Sequence, residues 1–187
     1  LGVTVLGHSH PRWVEAVQEQ AARLVHTSNL YPQAPAEKVA RQLCELTHMD
    51  RVFFSNSGTE AVECALKLAR KAAGQGHHAI GTHFLALEGG FHGRSLGSLS
   101  VTSNAEYRTP FSPTLEARHV PRNEVQALEE AFQRGAPAAL ILEPIQGEGG
   151  LHVLDIAYLQ SARDLCCPLY TSPSPRDATL SRMPSSA

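Results

Sequence analysis

The chain has 187 residues, 42% of them apolar, and a formal net charge of −2. That length suits one domain of ordinary size with a buried core, and the small net charge gives no reason to expect nucleic acid or an anionic membrane as a partner. No apolar run reaches the length of a spanning helix, and no basic start followed by an apolar stretch marks a secretory signal, so no membrane association is expected.

His10-Pro11-Arg12 opens the first predicted helix, with Trp13, Val17, Ala21 and Leu24 on one face and Pro11 in the first turn, which tolerates it. A second helix runs from about Ala36, with Val39, Leu43 and Leu46 facing inward. Val52 to Phe54 reads as a short buried strand. It breaks at Ser55-Asn56-Ser57-Gly58, and a long helix from Gly58 to about Ala73 follows. That helix carries Ala61, Ala65, Leu68 and Ala72 on one stripe and Val62, Leu66 and Ala69 beside it, and Gly74-x-Gly76 stops it. His78 to Leu87 holds a strand near Phe84-Leu85-Ala86-Leu87, which empties into the Gly-rich turn Glu88-Gly89-Gly90-Phe91-His92-Gly93-Arg94. Leu115 to Val120 reads as a short strand, and Val125, Leu128 and Phe132 mark a helix. Ala138 to Leu142 reads as a buried strand ending in Glu143-Pro144, and Ile156, Leu159 and Leu165 predict a last helix. Residues 168–187 contain four Pro and five Ser in twenty positions, a composition expected to be disordered.

Helices and short apolar strands alternate, which predicts an α/β layer with a mostly parallel sheet. Ligands on such sheets gather at the carboxyl ends of the strands. The turns after Phe54, Leu87 and Leu142 are therefore the places to look for chemistry.

The first turn feeds a helix N-terminus, where free backbone N–H groups and the helix dipole favour an anion. Gly58 allows close backbone approach and Thr59 can add a hydroxyl, so the turn reads as a phosphate cup. Ser57-x-x-Glu60 is equally a capping box, which any helix can use. It is neither a P-loop, since no Gly-Lys-Ser/Thr follows, nor a G-x-G-x-x-G dinucleotide fingerprint. In the second turn, Phe91 can lie flat on a planar cofactor and Arg94 can fork onto a carboxylate. A surface loop with a packed Phe and a solvated Arg explains the same residues. The third turn sets Glu143 and Glu148 five residues apart on a loop leaving a buried strand, which suits acid/base chemistry or simply a solvated turn.

The four cysteines, Cys44, Cys64, Cys166 and Cys167, form no Cys-x-x-Cys, and a reduced, cytoplasmic setting fits them. His8-x-His10 and His77-His78 lack a carboxylate or Cys partner at ligand spacing, so no metal is expected.

Taken together, Asn56-Ser57-Gly58-Thr59-Glu60-Ala61, Phe91-His92-Gly93-Arg94-Ser95-Leu96-Gly97 and Glu143-Pro144-Ile145-Gln146-Gly147-Glu148-Gly149-Gly150 resemble three motifs of the class III aminotransferases, in family order. Leu6-Gly7-His8-Ser9-His10-Pro11 resembles a fourth, and Thr27-Ser28-Asn29-Leu30-Tyr31 points to the acetylornithine branch and its acyl-lysine relatives. The resemblance covers roughly residues 5–165. It implies a partial large, pyridoxal 5′-phosphate (PLP)-binding domain of fold type I over 1–165, with 166–187 as a separate tail. It implies that Gly58 and Thr59 hold the cofactor phosphate, Phe91 stacks on the pyridine ring and Glu143 sits near the cofactor. Arg94 would take the substrate α-carboxylate. Glu148 would pair with an arginine supplied later in the family's sequence, so that one site accepts both glutamate and a basic substrate. The implied reaction moves an amino group from N-acetylornithine, or a related acylated diamine acid, to 2-oxoglutarate in a homodimeric parent of arginine or lysine biosynthesis. Ser95 stands where the family often has Thr, and Val62 where this branch often has Asn.

PLP chemistry also needs a lysine amine for the Schiff base and a carboxylate for the pyridine nitrogen. The only lysines are Lys38, Lys67 and Lys71, all in predicted helices, and none of Asp50, Asp155, Asp164 and Asp177 lies in the family's Asp-Glu-x-Gln pattern. The likeness stops near Cys166, and Leu169 to Asp177 is similar to translated sequencing-adaptor read-through. The expectation is an incomplete product, shortened at both ends and without activity as written. A non-catalytic phosphate- or PLP-binding module, or another PLP chemistry such as a racemase or aminomutase, are the alternatives.

Overall fold

The computed structural model describes residues 3–28, 30–47, 49–75, 81–112 and 115–167. Outside them lie Asn29, His77-His78, the first residues of the strand expected from His78, and the tail from Pro168. The chain divides into two compact units, Leu1–Val52 and Phe53–Ala187.

The first unit contains α1 (Pro11–Arg23) and α2 (Ala34–Thr47). Pro11 occupies the first turn of α1, as expected. The apolar stripes are present, but neither helix has a buried residue, and Trp13 is 57% exposed. The inward face expected for Val39, Leu43 and Leu46 is therefore corrected to an exposed apolar face, and Trp13, Val17 and Leu24 likewise form an exposed one. Periodicity is enough to form a helix, whereas burial needs an element packed on the stripe.

The second unit is an α/β layer. Its elements are α3 (Gly58–Gln75), β1 (Phe84–Leu87), α4 (Leu96–Val101), α5 (Ala105–Arg108), a 3₁₀ turn (Thr109–Phe111), β2 (Ala117–Val120), α6 (Val125–Gln133), β3 (Ala139–Ile141), β4 (Ile145–Gln146), β5 (His152–Val153) and α7 (Ile156–Cys166). The sheet has the order β2-β1-β3 with both pairings parallel, Phe84 opposite Ala117 on one side and Ala139 on the other. β1 is central and all four of its residues are buried, which is why it reads as a continuous apolar run. Its side chains alternate between the two faces. Leu85 and Leu87 join Val120, Leu128, Leu140, Leu154 and Tyr158 in one core cluster, while Phe84 and Ala86 join Leu66, Ala73, Val101 and Ala138 in the other.

One expectation is corrected here. Val52 to Phe54 is not a strand, and Phe53 is 64% exposed. A strand exists through its ladder partners, and among the described residues none runs beside this segment. On α3 the packed positions are Val62, Leu66, Ala69 and Ala73, while Ala61, Ala65, Leu68 and Ala72 face solvent. Leu66 shares its stripe with Thr59 and Glu63, and those two residues tie the helix to the start of α4. Polar anchoring thus chose between two adjacent apolar stripes.

The third turn also contains structure that periodicity does not foretell. β4 and β5 form a short antiparallel ribbon with Gln146 opposite His152. Among the described residues, no helix is long and apolar enough to cross a membrane.

Candidate active site

The second turn leaves the carboxyl end of β1 and the third leaves that of β3, the side of a parallel sheet on which ligands collect. The first turn reaches the same place through Thr59.

At the first turn only half of the capping box is made, because Glu60 reaches the amide of Asn56 and not that of Ser57. Glu60 N–H points to Ser57 Oγ at 3.4 Å, and Glu60 Oε2 accepts from Asn56 N–H at 2.8 Å. These bonds leave the next two donors free, since among the described residues nothing accepts from the Gly58 or Thr59 amide. Gly58 is exposed, and a Cβ placed there would meet nothing within 4 Å. The N-terminus of α3 is therefore open, with unspent N–H groups. The Thr59 hydroxyl is already engaged. It lies 2.7 Å from both Ser95 Oγ and Ser98 Oγ and accepts from Ser95 N–H at 3.3 Å.

This hydroxyl cluster is completed by Glu63, which the sequence reading did not single out. Its carboxylate accepts from Ser95 Oγ at 2.6 Å, Gly97 N–H at 2.8 Å and Ser98 N–H at 3.0 Å, and so caps α4. Partial burial pushes the Glu63 carboxyl up, but the Ser95 hydroxyl, the Ser98 and Gly97 amides and the Lys67 charge together hold it below the ordinary glutamate value. Its only trace in the sequence is a second acid three residues after Glu60. Gly93 closes the approach with φ +122°, and a Cβ there would collide with Thr59 Oγ1.

The second turn is held by Thr102 and Ser103, the two residues that follow α4. Gly89 N–H donates to Ser103 Oγ at 2.9 Å, Ser103 N–H to Gly90 O at 2.8 Å and His92 N–H to Thr102 Oγ1 at 3.0 Å. His92 is buried and its Nε2 has no hydrogen-bond partner among the described residues. Burial first, and then the neighbouring His119, push its pKa down to about 4, so the ring is neutral. Phe91 is half-buried, and its N–H donates to Glu143 Oε1 at 2.8 Å. Arg94 is exposed, with its guanidinium over the Tyr107 ring at 4.3 Å from the centroid.

In the third turn the fully buried residue is Gln146, which sequence reasoning passed over as part of a loop. Gln146 Nε2 donates to Glu88 O at 2.9 Å, fastening the third turn to the second, and its Oε1 is unpartnered among the described residues. Glu148 is exposed and meets none of the other candidates through a hydrogen bond or ion pair among the described residues. Gly58, Thr59, Phe91, Arg94 and Glu143 are thus linked through the single segment 91–98, and Glu148 stands apart.

The open helix N-terminus, the aromatic loop and the arginine thus lie at the carboxyl edge of a parallel sheet, where ligands collect. Residues 1–168 match the protein-family model described as Aminotransferase class-III, and the chain belongs to that family. It is 50% identical over 169 residues to the acetylornithine aminotransferase of Methanopyrus kandleri, spanning 89% of this chain and 42% of that protein. It is 43% identical over 167 residues to the succinylornithine transaminase/acetylornithine aminotransferase of Pseudomonas aeruginosa, again with 89% of this chain and 41% of the relative covered. Among solved structures, the ornithine aminotransferase of Toxoplasma gondii, which carries PLP at partial occupancy, superposes with a TM-score of 0.78 at 33% identity over 88% of this chain and 40% of that one. The N-acetylornithine aminotransferase of Stenotrophomonas maltophilia gives a TM-score of 0.68 at 35% identity, over 89% and 41%. The chain thus spans about two-fifths of the length of the relatives it matches.

Proposed function

We propose that this chain is the cofactor-phosphate half of an aminotransferase site whose parent moves an amino group from N-acetylornithine, or a related acylated diamine acid, to 2-oxoglutarate. The observation that carries the reading is the seating of Thr59 against Ser95 and Ser98, which brings the open N-terminus of α3 beside the loop bearing Phe91 and Arg94. The relatives named for acetylornithine support the choice of donor.

PLP supplies an aldehyde for the incoming amine and a ring that accepts electrons. The residues present suit its phosphate and its ring. The free Gly58 and Thr59 amides bind the phosphate by N–H donation along the helix dipole. The Thr59 hydroxyl, spent on Ser95 and Ser98, orients the cup rather than filling it. Phe91 offers a face to the ring, and Glu143 holds that residue by its backbone. Arg94 receives the α-carboxylate, because its donors form no ion pair among the described residues. Glu148 is free to answer a basic group or to pair with a cation from another part of the parent, which we take to be a cytoplasmic homodimer.

The residues do not suit covalent attachment. Lys67 and Lys71 are exposed on α3, and helical rise puts Lys67 about 12 Å from Thr59. Lys38 is exposed on α2 in the other unit. The chain as it stands is therefore inactive in transamination while keeping affinity for the cofactor. Incubation with PLP and borohydride, followed by mass spectrometry, tests this. A stoichiometric lysine adduct at Lys38, Lys67 or Lys71 overturns it, and saturable thermal stabilisation by PLP without an adduct supports it.

A further inference from the structure

We propose that Tyr107 is a positioning residue that holds the Arg94 guanidinium in place for a carboxylate ligand. The proposal deepens the reading of Arg94 given above and rests on it for the identity of the ligand, though not for the geometry.

Arg94 is exposed, yet its guanidinium carbon lies 4.3 Å from the centre of the Tyr107 ring. No carboxylate pairs with it, and no hydrogen bond occupies its donors, among the described residues. An acidic partner would spend N–H groups that a carboxylate ligand needs. A ring face attracts the cation without offering a hydrogen-bonding oxygen, so the fork stays available. A free arginine on a Gly-rich loop would otherwise lose rotamer entropy at each binding event, and a preset side chain avoids much of that cost.

The platform is itself anchored to the turn that carries Arg94. Tyr107 sits in the short α5, whose first turn is capped by Asn104 Oδ1 accepting from Glu106 N–H at 2.9 Å. Just before it, Ser103 bonds to both Gly89 and Gly90, and Arg108 Nη2 donates back to Ser103 O at 3.2 Å. Ring and guanidinium therefore descend from one hydrogen-bonded frame, which sets where a carboxylate is held relative to Phe91.

The test uses the full chain with nitrogen-15 in its arginine side chains, and 2-oxoglutarate as the probe. In the wild type, the Arg94 Nε–H signal, assigned by its loss in Arg94→Gln, is expected upfield through the ring current. Tyr107→Leu should abolish that shift and weaken 2-oxoglutarate binding about three-fold, while Tyr107→Phe keeps both. An unshifted wild-type signal overturns the proposal, and so does a Tyr107→Leu chain that keeps both shift and affinity. If Tyr107→Leu does not fold by circular dichroism, the wild-type shift and Tyr107→Phe decide. Unchanged binding in Arg94→Gln removes the carboxylate reading of Arg94, and the wild-type ring-current shift then still decides whether Tyr107 places the side chain.

Discussion

Glu143 Oε1 accepts the backbone N–H of Phe91 at 2.8 Å, joining two turns that lie 52 residues apart in the chain. An acid leaving β3 thereby fixes the backbone of the aromatic residue on the loop leaving β1. A carboxylate placed for acid/base work and one placed to hold a loop look alike in sequence, and this contact assigns Glu143 a structural task whatever else it does.

That contact predicts a split between two substitutions. Glu143→Gln keeps an oxygen able to accept from Phe91 N–H and should fold with nearly unchanged stability. Glu143→Ala leaves the amide unsatisfied and should cost about 1–2 kcal/mol. Urea denaturation of the two variants makes the comparison, and equal loss in both would remove the hydrogen bond as the cause.

Gly93 and Gly58 should behave in opposite ways. Gly93 has φ +122°, and an added Cβ would strike the Thr59 hydroxyl, so Gly93→Ala should lose about 2 kcal/mol or more. Adding Thr59→Ala removes only the clash with the hydroxyl, since Ser98 Oγ and the Cβ of residue 59 stay close and the backbone strain persists, so the double variant should recover only part of the loss. Gly58 has open space around it, so Gly58→Ala should fold as well as the parent. Thermal midpoints for the three variants and the wild type provide the measurement.

Glu63 makes a pH prediction whose sign is set by its partners. Its folded carboxyl lies below the ordinary value of 4.5, so it contributes stability that is fully present above that value and is lost as pH falls through the lowered one. Glu63→Gln should be less stable than the parent at neutral pH, and the gap should close in acid. Denaturation midpoints measured from pH 7 down to pH 3 report it; a gap that stays constant would mean that the charge on Glu63 contributes nothing.

His92 acts over a higher range. Its pKa is about 4 in the folded chain against an ordinary 6.5, so the unfolded chain binds more protons between those values. Stability contributed by keeping this ring neutral is present above pH 6.5 and falls by about 3 kcal/mol as the pH drops toward 4. His92→Leu removes one titrating group and should make stability fall less steeply across that interval, leaving the smaller dependence due to His83 and His119, whose pKa values burial also lowers; the same denaturation series measures it.

Much of the architecture was legible because it is written in short windows. β1, β2, β3, α6 and α7 declare themselves through apolar runs or helical spacing a few residues wide, and the alternation of those elements carries the α/β class. The three turns were also visible, since Gly, Ser and Pro punctuate a chain wherever it goes. Burial and pairing were not, because they depend on segments distant in the chain. Val52–Phe54 has a strand's composition and, among the described residues, no strand beside it, and α3 carries two adjacent apolar stripes of which only one is packed. Glu63, Gln146 and Tyr107 have no local signature, for each matters through a partner 13 to 58 residues away, namely Ser95 and Gly97, Glu88, and Arg94. Periodicity is a property of neighbours along the backbone, and a site is a property of neighbours in space.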